Sequence, residues 1–235
     1  INTLQQSIFT RLNSCISDTN GNLLFFCNGY AVNDIDGYLL QNGDTINCPY
    51  GQILYDYYGG GEIFDQTSII LPKKGNTYYV FSTGMSDSVA TNYLNHVYTE
   101  FDVLNYSIVD MDSNAGKGKV INKNVVLADK QHYWNTAMQA VKHSNGKDWW
   151  LVKADCINNR YQEFLVKEDT ILGPYYQYIT NIGDFCYFFG QLYFNNSGTK
   201  MACSMNGHIK GGNFYYRNGV DIFDFDRCSG ELTFN

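Results

Sequence analysis

The stretch Gln191–Asn235, QLYFNNSGTKMACSMNGHIKGGNFYYRNGVDIFDFDRCSGELTFN, decides the fold. A short apolar run, Leu192-Tyr193-Phe194, turns at Asn196-Ser197-Gly198 and returns through Met201, Ala202 and Cys203. Two apolar runs around a Gly-containing polar turn are the signature of a β-hairpin. After a Gly- and Asn-rich connection, Val220-Asp221-Ile222-Phe223-Asp224-Phe225-Asp226 mixes apolar and acidic side chains in alternation. That pattern fits a strand with one buried face, and Cys228-Ser229-Gly230 turns it towards Leu232 and Phe234. Four short strands joined by three polar turns make one blade of a β-propeller.

The same plan recurs upstream. Ser14–Ser17 turns through Asp18–Asn22 into Leu23–Cys27, Ser68–Leu71 through Pro72–Asn76 into Tyr78–Phe81, and Met138–Lys142 through His143–Lys147 into Asp148–Val152. Gly21, Gly75, Gly146 and Gly198 mark the equivalent turn at intervals of roughly 50–70 residues, a blade-like period once an insertion at 84–102 is allowed for. The expected fold is therefore all-β, a β-propeller-like array of about four four-stranded antiparallel blades belonging to a larger propeller. Its repeats fall at 14–66, 67–127, 137–182 and 190–235 of a single domain, 1–235. Tyr79, Trp149 or Trp150, and Phe223 are expected in its core, with any short helix confined to 84–102 or 128–140. Residues 1–13 carry one apolar run that has no place in the repeat.

Composition agrees. Twenty Tyr, 15 Phe and 22 Gly against 3 Pro describe aromatic strands and tight turns rather than helices. With 44% hydrophobic and 17% charged residues the chain can bury a substantial core. A formal net charge of -7 repels nucleic acid and anionic membrane surfaces, so neither is expected as a partner. No run of 18 apolar residues occurs, so no membrane insertion is expected, and a chain starting at Ile1 without a signal-peptide pattern reads as processed or trimmed. Seven cysteines stand at 15, 27, 48, 156, 186, 203 and 228 without C-x-x-C spacing, which disfavours zinc. If the first hairpin folds about Gly21, Cys15 and Cys27 lie across from each other; a cross-strand disulfide and a pair of small reduced core residues both fit that placement.

Five segments in this order, SDTNGNLLFFCNG (17–29), YSIVDMDSNAGKG (106–118), VKHSNGKDWWLV (141–152), FNNSGTKMA (194–202) and DFDRCSGEL (224–232), resemble the propeller region of large secreted or cell-surface proteins of Bacteroidetes, of the kind exported by type IX secretion and associated with gliding motility. DWW and DFDRCSG are the most specific parts of that resemblance. It implies an exported, non-cytoplasmic chain and more blades than four, so a protein partner or the remaining blades of the same parent are expected to complete the array.

Candidate chemistry is sparse. Asp110, Asp112 and Asn114 stand before Gly116, and Asp224 and Asp226 before Gly230, in a shared D-x-D-x-x-x-G pattern. Alternating oxygen-bearing side chains before a glycine are the donors of a Ca²⁺ loop, while the same residues serve equally as turn formers that bond their own backbone. Beyond possible Ca²⁺, no cofactor is expected. Asp34, Asp36, Asp56, Glu62 and Asp65 fall in loops, with no spacing that singles out an acid and a nucleophile for glycoside hydrolysis. His96, His132, His143 and His208 are scattered and no G-x-S-x-G is present. Trp134, Trp149 and Trp150 have rings that suit sugar stacking, but adjacent Trp149 and Trp150 face opposite ways on a strand, so one belongs to the core. Asn105 and Asn195 open N-glycosylation sequons, and Thr45, Ser88 and Thr170 follow Asp in the pattern of Bacteroidetes O-glycosylation. The expected function is a non-catalytic binding or structural module of an exported cell-surface protein, for protein–protein interaction or adhesion. The alternative is a carbohydrate-active propeller, either a binder of cell-surface glycan or a glycoside hydrolase.

Overall fold

The hairpin turns have the backbone that their residues dictate. In the computed structural model, which describes residues 14–47, 51–53, 56, 66–95, 101–133, 137–155, 158–178, 190–210 and 213–235, the four turn glycines all have positive φ, from 60° at Gly75 to 86° at Gly21. Short polar side chains fold back over these turns. Asp18 Oδ1 accepts the amides of Asn20 and Asn22 at 2.8 Å, Asn145 Oδ1 those of Lys147 and Asp148, and Asn195 Oδ1 those of Thr199 and Lys200.

Each turn opens an antiparallel up-and-down sheet. The first contains β1 (Ser14–Ser17), β2 (Leu23–Cys27) and β3 (Val32–Asp34); the second β4 (Ser68–Pro72), β5 (Thr77–Gly84), β6 (Val103–Asp110) and β7 (Lys119–Ala128). The third is built from β8 (Met138–Lys142), β9 (Trp149–Asp155), β10 (Arg160–Val166) and β11 (Ile171–Tyr178), and the fourth from β12 (Leu192–Phe194), β13 (Lys200–Lys210), β14 (Asn213–Phe225) and β15 (Leu232–Phe234). The chain is thus an all-β, β-propeller-like array of small antiparallel sheets. Among the described residues the first sheet has three strands, with an isolated bridge between Asn33 and Leu39 beside them. Helix α1 (Asp87–Leu94) lies in the expected insertion, whereas the helical residues 51–53 and 56 lie in a stretch that reads as loop. No helix among the described residues is long and apolar enough to cross a membrane.

The chain divides into two compact units, Ile1–Gln131 and His132–Asn235. Within the first, Phe25, Cys27, Val32, Leu40 and Ile46 pack with Ile70, Val80, Val109 and Val120, and Ser14 and Ser68 share a 2.8 Å hydroxyl bond between β1 and β4. Within the second, Val141, Trp150, Val152, Ala154 and Tyr161 meet Leu192, Met201, Cys203, Phe223 and Phe225. Tyr79, Trp150 and Phe223 are buried as expected, and Trp149 takes the opposite, half-buried face beneath Lys142, whose Nζ sits 5.1 Å from the ring centroid.

The two most distinctive sequence segments meet in the second unit. Trp150 Nε1 donates to the Arg227 carbonyl at 3.1 Å, and a Cβ on Gly230 would press on the Trp150 ring at 2.9 Å. Arg227 in turn donates to three carbonyls, those of Lys142 (2.7 Å), Ser197 (3.0 Å) and His143 (3.3 Å). His143 Nδ1 accepts the Asn145 amide, which leaves Nε2 as the protonated nitrogen that donates to the Cys228 carbonyl at 3.1 Å. DWW and DFDRCSG therefore specify a joint between the third and fourth sheets.

The register of the first hairpin corrects the proposed disulfide. Cys27 stands opposite Ser14 and Cys15 opposite Phe26, so the two cysteines are on opposite faces. Both are free, Cys15 exposed and Cys27 buried, and burial pushes the Cys27 thiol up to about 11. The hairpin closes with Ser17 opposite Leu23, centred on Asn20 rather than Gly21, and a bulge between Ile16 and Ser17 then shifts the outer pairs by one residue, which puts the two cysteines on opposite faces. Cys228 is likewise free and Cys203 is buried, while Cys48, Cys156 and Cys186 lie outside the described residues.

Candidate functional site

The second sheet carries the candidate site. Between α1 and the strands β6 and β7 lies an open cleft of about 600 Å³. Apolar Met85, Val103 and Val126 line it together with polar Ser86, Ser88, Asn105 and Asn124 and the carboxylates Asp87 and Asp129. The insertion after β5 forms one wall, because Asp102 Oδ1 accepts the Ser86 amide at 2.7 Å and so holds the start of α1 against the sheet. A bulge in β7 forms the other. There the register against β6 shifts, Asn124 adopts φ 54°, and its amide bonds Ser107 Oγ at 3.0 Å.

A chain of three side-chain amides runs behind this wall. Asn124 Oδ1 accepts the Asn47 amide and its Nδ2 donates to the Thr45 carbonyl, stapling the loop before residue 48 onto the bulge. Asn47 Nδ2 donates to the Thr83 carbonyl at 2.9 Å. Since a carbonyl only accepts, Asn47 Oδ1 is the acceptor of its amide, and Asn105 must approach it with Nδ2, at 2.9 Å. Asn105 Oδ1 is thereby left facing away from the chain, and it has no hydrogen-bond partner although the residue is only 4% exposed. Gly84 makes room for the arrangement, because a Cβ there would collide with Asn47 Oδ1.

In the second unit a buried polar cluster covers one face of the third sheet. Asp155, fully buried, accepts from Arg160 Nε (2.6 Å), from Asn158 Nδ2 at both oxygens, and from Gln162 Nε2 (3.2 Å). Gln162 Oε1 then accepts the Tyr133 hydroxyl at 2.7 Å, and burial followed by the nearby Asp155 charge raises the Tyr133 phenol so that it stays a donor. Buried Lys153 lies 4.3 Å from the centroid of the Tyr133 ring and donates to the Ala154 carbonyl. Arg160 stacks on Tyr176 at 4.0 Å and reaches the Tyr178 hydroxyl at 3.3 Å. With its lone pairs taken by fixed donors, the Asp155 carboxylate is a structural acceptor here. On the opposite face Glu163, 1% exposed, accepts from Gln177 Nε2 at 2.5 Å, and burial raises its carboxyl to about 8.

The sequence-derived candidates are dispersed. Asp110 accepts the Asp112 amide (3.0 Å) and the Ser113 hydroxyl (2.7 Å) within its own turn, Asp112 accepts Asn76 Nδ2 (2.9 Å) from the turn between β4 and β5, and the Ser113 bond holds the Asp110 carboxyl below its usual range. Asn114 takes a left-handed φ of 56° and directs its Nδ2 at the Gly118 carbonyl, 3.5 Å away. No group of three His, Cys, Asp or Glu side chains placed to hold a metal occurs among the described residues. Asp34 caps its own turn through the Asp36 and Tyr38 amides, and Asp56 accepts from Gln52. Glu62, Asp65, His96 and Trp134 lie outside the described residues.

Among modification candidates, Thr45 is half-buried and 3.2 Å from Lys123 Nζ, Ser88 is exposed at the cleft, and Thr170 is exposed in the turn after β10. Asn105 is buried with its amide engaged, which removes it as a glycan acceptor. Neither the amide chain nor the Asp155 cluster is evident in the sequence, since their partners are brought together by strand register rather than spacing. Only Lys153 and Asp155, charges on a strand flanked by apolar residues, give a local hint.

No family model matches this sequence, and no curated protein is found as a relative. Among solved structures the chain is similar to a functionally unknown protein from Desulfotomaculum acetoxidans DSM 771, at 11% identity and TM-score 0.43, covering 94% of this chain and 54% of that one. It is also similar to an ulvan lyase described as a new family of polysaccharide lyase, PL25, at 13% identity and TM-score 0.48, covering 99% of this chain and 55% of that one. The chain thus spans about half the length of these structures. At these scores the matches bring no activity, substrate or site residue to it.

Proposed function

We propose that this chain is a non-catalytic binding module that takes carbohydrate in the cleft beside α1. The observation that carries this reading is the mixed lining, in which Met85, Val103 and Val126 stand among Ser86, Ser88, Asn105, Asn124 and the two carboxylates. A sugar ring presents an apolar C–H face and a rim of hydroxyls, and an amphipathic cleft of this size matches both. Placement on an exported cell-surface protein, with a protein partner or further blades beside it, belongs to the same proposal and is supported by the resemblance of its repeat segments to exported propeller regions.

A glycan array probed with the whole chain tests the reading. Binding of a defined set of oligosaccharides, weakened in an Asn105→Asp or Val126→Asp variant of unchanged circular dichroism, is the expected result; no binding to any glycan, with capture of a protein partner instead, overturns it. Hydrolysis is the second reading, favoured by Asp87 and Asp129 lining one cleft. Release of reducing ends from an array ligand, lost in Asp87→Asn or Asp129→Asn, would establish it in place of simple binding.

A further inference from the structure

In each repeat the residues four and six places after the turn glycine share one face of their sheet: Phe25 and Cys27, Tyr79 and Phe81, Trp150 and Val152, Ala202 and Ser204. In the first three sheets both are buried. Phe25 and Cys27 pack with Ile70, Val80, Val109 and Val120 of the second sheet, and Trp150 and Val152 with Leu192, Met201, Cys203 and Phe223 of the fourth. Within each compact unit, therefore, this face is covered by the sheet that comes next in sequence.

The fourth sheet presents the same face to solvent. A register row crosses it from Tyr193 through Ala202 to Ile222, with Val220 next to it opposite Ser204. Tyr193 is 51% exposed, Ile222 45% and Val220 60%. Scattered apolar side chains on a surface are ordinary, but three that adjoin on one sheet face mark a docking surface. Resting on the part of the proposed reading that sets further blades beside this chain, and not on its carbohydrate cleft, we infer that this face seats a fifth sheet. A later repeat of the same polypeptide supplies it, as the second and fourth sheets supply the cover in their own units.

The face also states what fits it. Its row corresponds to Val141, Trp150 and Leu165 of the third sheet, the row that packs with the fourth. Its middle residue is Ala202 where the other three sheets have Phe25, Tyr79 and Trp150, so a large apolar side chain of the occupant fills the space between Tyr193 and Ile222. Towards the turn the face ends in the exposed Lys200–Asp224 pair, a polar rim beside an apolar centre. The covering sheets use the places three and five after their glycine, as Met201 and Cys203 do. A second copy suits the face poorly, because at that place in its first sheet Phe26 is already buried.

Hydroxyl-radical footprinting of the full-length polypeptide, as its source makes it, tests the inference. Tyr193 should be oxidised several-fold more slowly than Tyr178, and Ile222 more slowly than Ile35, the two reference residues being 64% and 62% exposed. In the same polypeptide, benzoylphenylalanine placed at Ile222 should crosslink on illumination to a peptide of a later repeat, with apolar residues three and five places after a turn glycine. Equal oxidation within either pair of residues overturns the inference. So does a crosslink to a second copy of this chain, to a different protein or to glycan. The footprint needs no substitution, so the test holds even where the crosslinking variant fails to fold. Glycan binding by the cleft on the second sheet is read separately on the array, and its failure leaves this inference standing.

Discussion

Glu163 is the residue whose position most constrains behaviour in solution. Its carboxyl is covered on a sheet face otherwise occupied by Tyr161 and Leu165, and Gln177, which donates to it, also donates to the Gly230 carbonyl and accepts the Leu232 amide. Burial raises the folded-state value from 4.5 to about 8. The sign follows from proton counting: between those limits the unfolded chain has lost a proton that the folded chain keeps, so stability falls as pH rises through this window and stays lowered above it. The loss is on the order of a few kcal/mol. Urea midpoints at about pH 5 and about pH 9 should therefore differ clearly in the wild type, and Glu163→Gln, which keeps the shape and removes the titration, should flatten that difference. The same fall in both proteins would place the alkaline limb elsewhere.

Among elements, the first hairpin of each sheet was legible because its determinants are local. A residue that tolerates positive φ and a side chain that bonds its own backbone sit within five positions of each other, as Asn145 and Gly146 do. The equivalent glycines nevertheless differ in what surrounds them. A Cβ on Gly146 would meet nothing within 4 Å, whereas one on Gly198 would meet Val141 Cγ2 at 2.5 Å and Arg227 Cδ at 3.0 Å. Gly146→Ala should cost about 1 kcal/mol, the backbone term alone, and Gly198→Ala clearly more, because it also pries at the joint between the third and fourth sheets. Equal midpoints in denaturant would remove the steric part of this account. The disulfide reading failed for a reason of the same kind: one bulge residue moves a cysteine to the other face, and no pattern in SCISDTNGNLLFFC announces it.

At the scale of the whole molecule, what stayed hidden from the sequence is long-range and polar. Asn47 and Asn105 are 58 residues apart and Asn47 and Asn124 are 77 apart, and each reads alone as an ordinary turn or strand residue. The β-rich array was legible because its repeat averages over many such uncertainties, while the cleft depends on single amides. Net charge is the other global property, and at -7 it should keep the chain off heparin and off anionic vesicles even at low salt, which a retention or sedimentation assay checks.

The joint between the third and fourth sheets also gives the protein a built-in optical gauge. The Trp150 indole is 4% exposed, donates to the Arg227 carbonyl and lies 5.9 Å from the His143 ring, while Trp149 on the opposite face is half-buried. Indole emission is sensitive to such surroundings, so any loosening of these two sheets should shift and brighten or quench fluorescence before the circular dichroism of the strands changes. Trp149→Phe, which spares the joint, should retain that early signal, and Trp150→Phe should lose it.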